Sequence, residues 1–419
     1  MGRPRVTWLR SVLLILMCAG IFGQAWGQVT TISFARLVSQ AHSAYLDPLI
    51  AAFELANPDV KVVAVESAGD GYEGLAQTAL LGLAAGRPPD LVQTGFTFLD
   101  TMVASDGPVA LDPFMEADTT FDVAGMVPAM LALGQLDGAT YILPIGVSTP
   151  TMYYNVDLFR AVGLDPDRPP STWDEAAEYA RVLVDAGYEG ILWGWSITGN
   201  WIFQTRLENA GGKLGEATPN GYRVTFADEA GLQVLTYLRG LTSSGLMPVT
   251  EDLVQTFTSG RLGMLVDSSF QRVNTPRGTA AEVRLAPIPT PTGAAAISPA
   301  GGNGVMMFAR DPVQQAAAWR FLSFLTGPEA SRIVAANSGY TPPNAAAIAA
   351  LKAENADDPD YQIVLNQADT VVPWHAWPGT NGPRIVQIIK DMQQAVMLGR
   401  VDPSRALQDA ADEVGRLVR

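Results

Sequence analysis

Residues 137–195 read DGATYILPIGVSTPTMYYNVDLFRAVGLDPDRPPSTWDEAAEYARVLVDAGYEGILWGW. An apolar run ends at the turn residues Ser148, Thr149 and Pro150, and a second run rich in β-formers follows through Tyr154. The segment therefore predicts strand, turn and strand, because Pro and Ser interrupt what would otherwise be one extended run. A short helix comes next, ended by Pro169 and Pro170. Thr172 and Glu175 have the spacing of a capping box, which starts a helix whose buried stripe is Ala176, Ala177, Ala180, Leu183 and Val184. The apolar run to Trp193 then reads as another strand.

Outward from this segment the same alternation continues, which is the pattern of an α/β layered fold. Towards the N-terminus, residues 31–34, 60–66 and 90–93 read as strands, separated by helices over 45–56 and 75–85. The first helix is closed by Asn57-Pro58, the second by Gly86 and two prolines. In open sheets of this kind ligands lie beyond the carboxyl ends of the strands, so the loops 68–72 and 94–97 are the ones to watch. Towards the C-terminus, 261–266 and 283–288 read as strands and 316–325 and 385–398 as helices. The Pro, Gly and Ala-rich stretch 287–304 reads as a linker.

At the N-terminus, Arg3, Arg5 and Arg10 precede an apolar run over 12–22, and Ala25-Trp26-Gly27 supplies small residues at a peptidase spacing. This predicts a cleaved signal peptide over residues 1–27 and export; the run is too short to cross a bilayer. Cleavage removes Cys18, the chain's one cysteine, and with it any disulfide, thiol nucleophile or thiolate metal site. It also removes three arginines, taking the formal net charge from −15 to −18. Nucleic acid and anionic membranes are poor partners for such a surface. A chain of 419 residues with 48% hydrophobic content is long enough for two cores.

Motifs for chemistry are absent. His42 and His375 stand far apart and form no zinc pattern; Gly146-Val147-Ser148-Thr149-Pro150 lacks the closing glycine of a nucleophile elbow; Gly301-Gly302-Asn303-Gly304 lacks the lysine of a phosphate-binding loop. Neither a cofactor nor a metal is expected. The alternative class is a secreted glycan-active hydrolase using a carboxylate pair among 42 acidic residues.

Three blocks carry a family resemblance: NPDVKV with GRPPDLV, the central segment quoted above, and AAAWRFLSFLTGPEASRIVAANSGYTPPNAAA. In their order and spacing the chain resembles the extracellular solute-binding proteins of carbohydrate-type ABC importers. STPTMYYN, GLDPDRPP and SGYTPPN make it most similar to the sn-glycerol-3-phosphate-binding branch. The resemblance implies a two-lobed periplasmic-binding-protein fold of α/β class, with hinged lobes and a ligand cleft between them. Lobe 1 would comprise 28–142 and 301–360, lobe 2 143–300 and 361–419, with crossings near 138–144, 299–302 and 358–361. It further implies a monomer that captures a sugar, polyol or glycerol-phosphate type ligand, without chemistry, and delivers it to a membrane permease or, alternatively, to a chemosensory partner.

Carried over residue by residue, the resemblance places at the ligand Tyr72, Ser148, the tryptophans Trp195 and Trp201, Ser268 or Ser269, and Tyr340. It adds Gly302 and Asn303, which would offer backbone N–H groups. Arg384 would grip a phosphate, and Phe96 stands where the branch has a ligand-contacting glutamate.

Overall fold

The computed structural model describes residues 29–67, 71–367 and 371–418, together with Gly2. The signal peptide expected over 1–27, Cys18 within it, and residues 68–70 of the first watched loop lie outside the described residues.

Two sheets organise the chain. Their strands are β1 (Thr30–Ala35), β2 (Val60–Val65), β3 (Leu91–Thr94), β4 (Leu143–Ser148), β5 (Pro150–Asn155), β6 (Glu189–Trp193), β7 (Leu262–Ser268), β8 (Val283–Ala286) and β9 (Gly301–Met307). The first sheet has the order β2-β1-β3-β9-β4 and the second β8-β5-β7-β6. The β1–β2, β1–β3 and β6–β7 pairs are parallel, whereas β9 runs antiparallel to both β3 and β4. Strand β9, inside the first sheet, and strand β4, at its edge, are both buried along their whole length, so both are covered on both faces.

The helices are α1 (Gln40–Ala56), α2 (Gly71–Ala84), α3 (Trp173–Asp185), α4 (Trp201–Asn209), α5 (Glu229–Ser243), α6 (Pro312–Leu325), α7 (Pro328–Asn337), α8 (Pro359–Gln367), α9 (Gly382–Met397) and α10 (Pro403–Leu417). α6 and α2 pack on the first sheet and α7 on α1, while α3 packs on the second sheet and α5 gathers α4, α9 and α10. The central segment folds as its pattern predicts, β4, turn, β5, a short helix over Val156–Ala161, then α3 and β6. The cap of α3 is reciprocal with a shift of one residue: Thr172 accepts from the Glu175 N–H at 3.0 Å, and the Glu175 carboxylate accepts from the backbone N–H of Ser171 at 2.9 Å.

Three expectations are corrected. The lobe boundary drawn between 142 and 143, with its crossing near 138–144, falls ahead of β4, whose register with β9 from Leu143↔Val305 to Gly301↔Ser148 places it in the first sheet. Tyr72 lies in the first turn of α2, not in a loop. The stretch 287–304 is no linker at its end, because it enters β9. Glycine is required there by proximity: a Cβ on Gly301 would stand 2.6 Å from the Trp201 ring, and one on Gly302, at φ +103°, 2.2 Å from the Gly146 carbonyl.

Candidate functional site

The loops leaving the carboxyl ends of β1, β4, β6 and β7 and the first turn of α2 converge with the amino end of the antiparallel β9. Between them lies a cavity of about 490 Å³. Leu37, His42, Tyr72, Tyr340, Ser148 of β4 and Gly301 and Gly302 of β9 line it from the side of the first sheet, Trp201, Asp267, Ser268 and Phe270 from the side of the second, and Trp374 from the connecting chain. A site at the carboxyl ends of parallel strands is where open α/β sheets hold ligands.

One of its two tyrosines, Tyr340, is fixed by a backbone approach that only glycine permits. Val147 and Thr341 exchange hydrogen bonds of 2.9 and 2.8 Å, which brings Tyr340 over Gly146, where a Cβ would meet the Tyr340 Cβ at 2.6 Å. The Tyr340 hydroxyl lies 3.2 Å from that of Tyr72, and burial raises the pKa of both, Tyr340 to about 12. The Phe270 ring stacks on Tyr340 at 4.5 Å and faces His42 at 5.0 Å. Desolvation and the nearby Arg36 hold the His42 pKa near 4, so its imidazole is neutral at pH 7.

Opposite, the Trp201 indole donates to the Pro299 carbonyl at 2.9 Å and faces Trp374 at 5.9 Å. Trp374 in turn donates to the Gly199 carbonyl. Asp267 ends β7 and is 4% exposed. One carboxylate oxygen accepts from the Ser268 N–H at 2.6 Å, and burial pushes the Asp267 pKa up to about 6. Glu251 at the rim is paired with Lys390 at 2.7 Å, and Asp252 beside it is exposed. Among the described residues lining the cavity there is no arginine and no lysine.

Of the eleven residues expected at a ligand, the structure gathers six here: Tyr72, Ser148, Trp201, Ser268, Gly302 and Tyr340. The other five lie elsewhere. Ser269 is buried behind the wall, its hydroxyl accepting from Thr149 N–H while its own N–H donates to the Thr149 carbonyl, a clasp at the turn between β4 and β5. Asn303 turns its side chain away into a buried network with Gln93 and Tyr45. Trp195 donates to the Thr250 carbonyl and lies under Lys390. Phe96 lines a separate cavity of about 780 Å³, with Trp374 and His375. Arg384 is 66% exposed on α9, paired with Glu413 at 3.4 Å.

His42, Phe270, Trp374 and Asp267 were not foreseen. Asp267 had a visible signal, an acid closing the apolar run GMLV. Trp374 had none, since its place depends on the chain returning between the sheets.

This architecture and site are those of a two-lobed binding protein. The model of the bacterial extracellular solute-binding protein family matches residues 39–332, and the chain belongs to that family. It is a family of binding proteins, in agreement with the expectation of a receptor over an enzyme. The chain is 27% identical, over 95% of its length and 94% of the relative's, to the sn-glycerol-3-phosphate-binding periplasmic protein UgpB of Salmonella typhimurium. Among solved structures it resembles UgpB from Mycobacterium tuberculosis in complex with glycerophosphocholine, at 24% identity and a TM-score of 0.79, covering 92% of this chain and 97% of that one. It also resembles the GacH receptor of Streptomyces glaucescens, known unliganded and with acarbose, at 20% identity and a TM-score of 0.78, covering 93% and 98%. Both structural likenesses concern the fold.

Proposed function

We propose that the protein is the periplasmic receptor of an ABC importer, which takes up a sugar or polyol in the cavity between its lobes and presents it to a membrane permease. One observation carries the reading. The cavity joins flat aromatic faces (Tyr72, Trp201, Tyr340, Trp374) to hydroxyl and carboxylate groups (Ser148, Ser268, Asp267) at the junction of both lobes. Rings suit the apolar faces of a sugar, and short polar groups suit its hydroxyls. The family's ligands extend to glycerol phosphates, as the name of the Salmonella relative says. This lining favours the neutral end of that range, because a buried phosphate needs cationic partners and Arg384 stands on the surface.

Sheet membership supports crossings at Thr149, at the step from Pro299 to Gly301, and between Glu354 and α8, whose Asp360 accepts from the Leu285 N–H of β8. Contacts across the cavity, such as the Gly199 N–H donating to the Glu73 carboxylate, belong to a closed arrangement of the lobes. Such a receptor works as a monomer, after removal of residues 1–27.

The test is a thermal-unfolding screen of ligand-stripped mature protein against monosaccharides, oligosaccharides, polyols and glycerol-3-phosphate. A ligand at a hundredfold over its Kd stabilises by about 2.7 kcal/mol, a shift of roughly 2–4 °C. The bound compound should come back unchanged after overnight incubation. Conversion of it would establish the glycan-active hydrolase instead, and binding of glycerol-3-phosphate alone would remove the neutral-ligand reading.

A further inference from the structure

Among the described residues Asp267 is a buried carboxylate with no ion pair, and that bears on what the cavity accepts. Among the same residues its one hydrogen-bond partner is the N–H of the next residue, Ser268. Arg272, the cation closest in the chain, stacks its guanidinium on the Tyr361 ring at 3.7 Å and lines a different cavity. Arg36 is taken by Asp47 at 2.5 Å, and Lys390 by Glu251. Across the cavity His42 is neutral. Leaving a carboxylate buried and uncompensated is unfavourable, yet one stands near the end of β7 in a cavity whose lining also includes Trp201, Phe270, Tyr72 and Tyr340. Aromatic faces add attraction for a positive charge and none for a negative one.

Building on the sugar or polyol reading, we propose that the ligand of this cavity is a hydroxylated molecule bearing a positively charged nitrogen, with Asp267 as its counter-ion. The ammonium restores the charge balance that β7 leaves open. The hydroxyls meet Ser148 and Ser268, and the rings enclose the carbon frame and the cation together. Anionic ligands are rejected by the same carboxylate, and the exposed Asp252 at the rim strengthens the rejection.

The experiment measures binding of charge-matched probes by calorimetry to wild-type protein and to Asp267→Asn, which keeps the shape and removes the charge. The pairs are glucose and glucosamine, and glycerol-3-phosphate and glycerophosphocholine; any neutral sugar found in the thermal screen is tested beside its amino derivative. The nitrogen-bearing partner should bind about tenfold or more tightly in wild type, through a charge-assisted hydrogen bond from the glucosamine ammonium and through ion pairing and cation–π attraction of the choline group, which has no N–H to donate. In Asp267→Asn that preference should fall to near unity. Equal or tighter binding of the partner that lacks the cationic nitrogen, or a preference that survives the substitution, would overturn the proposal while leaving the receptor reading intact. Binding of no sugar, polyol or amine derivative would sink the receptor's ligand class, and this inference with it. Should the variant fail to fold, the wild-type pairs still decide.

Discussion

On the first lobe's side of the cavity the polar groups are satisfied by one another, whereas on the second lobe's side a charge is left open. Tyr72 and Tyr340 share a hydrogen bond, and behind them Gln93 donates to both Tyr45 and Asn303. No charged group enters that set. Asp267, on the facing wall, has among the described residues its own neighbour's N–H and nothing else. A wall complete in itself is preorganised and keeps its shape whether or not a ligand is present. A wall with an unmet group is completed only by what binds there. The contrast divides labour: the first lobe supplies a rigid surface, and the second supplies selectivity.

The sharpest break of this contrast is Asn303→Ala. It leaves the Gln93 amide and the Tyr45 hydroxyl short of partners in a fully buried site, and each such group costs about 1–3 kcal/mol. Chemical denaturation should show a loss of roughly 2–4 kcal/mol. A loss under 1 kcal/mol would mean that the network is not what holds the first wall.

Asp267→Asn should act in the other direction on ligand-free protein. The Asp267 pKa lies near 6 in the folded chain against 3.8 for the free side chain, so the folded state holds a proton that the unfolded state releases between those values. Its contribution is therefore most favourable below pH 4 and is lost as pH rises through 6. The asparagine variant should be more stable at pH 7, by up to about 3 kcal/mol at 1.36 kcal/mol per unit, with the difference vanishing near pH 4. His42 and His375, both near 4 because of burial, lose stability as pH falls below 6.5, the opposite sign. They are common to both proteins and cancel in the difference.

The two walls were unequally legible in the sequence. The capping box at Thr172 and the turn at Ser148-Thr149-Pro150 are local patterns, and local patterns survive without knowledge of the tertiary fold. Tyr72, Ser148, Trp201 and Tyr340 came through the family likeness because their motifs are contiguous. β9 was hidden because its glycines carry no hydrophobic signal; they are there to let Trp201 and β4 come close. Ser269 and Asn303 sit one residue from lining positions, and in a strand or tight turn one residue reverses the side chain's direction. Arg384 stands away from the cavity because a guanidinium serves wherever its helix presents it, and α9 presents it to solvent beside Glu413. Asp267 could be seen as a buried acid, but the absence of a partner is a fact of three dimensions.

A smaller effect tests whether the lining serine acts on ligand alone. Ser148→Ala removes a hydroxyl at the end of β4 without opening a cavity of consequence, so the unfolding free energy should move by less than about 0.5 kcal/mol. Affinity for the best ligand of the thermal screen should weaken by about 0.5–1.5 kcal/mol, or roughly two- to tenfold. Equal losses in stability and affinity would make Ser148 a structural turn residue.

The smallest expected effect is at Arg384, and it separates the geometry from the family likeness most cleanly. Were this arginine the phosphate grip, Arg384→Ala would abolish binding of an anionic ligand. In the structure its guanidinium is 66% exposed and 3.4 Å from a Glu413 side chain that is itself 41% exposed. Surface pairs of this kind contribute about 0–1 kcal/mol, discounted further by solvent and salt. Stability should fall by no more than a few tenths of a kcal/mol, less in high salt, and affinity should stay within twofold for every compound in the panel. A tenfold loss confined to phosphorylated compounds would instead require α9 to swing its first turn toward the cavity, and would return the selectivity assigned to Asp267 to a cation on the second lobe.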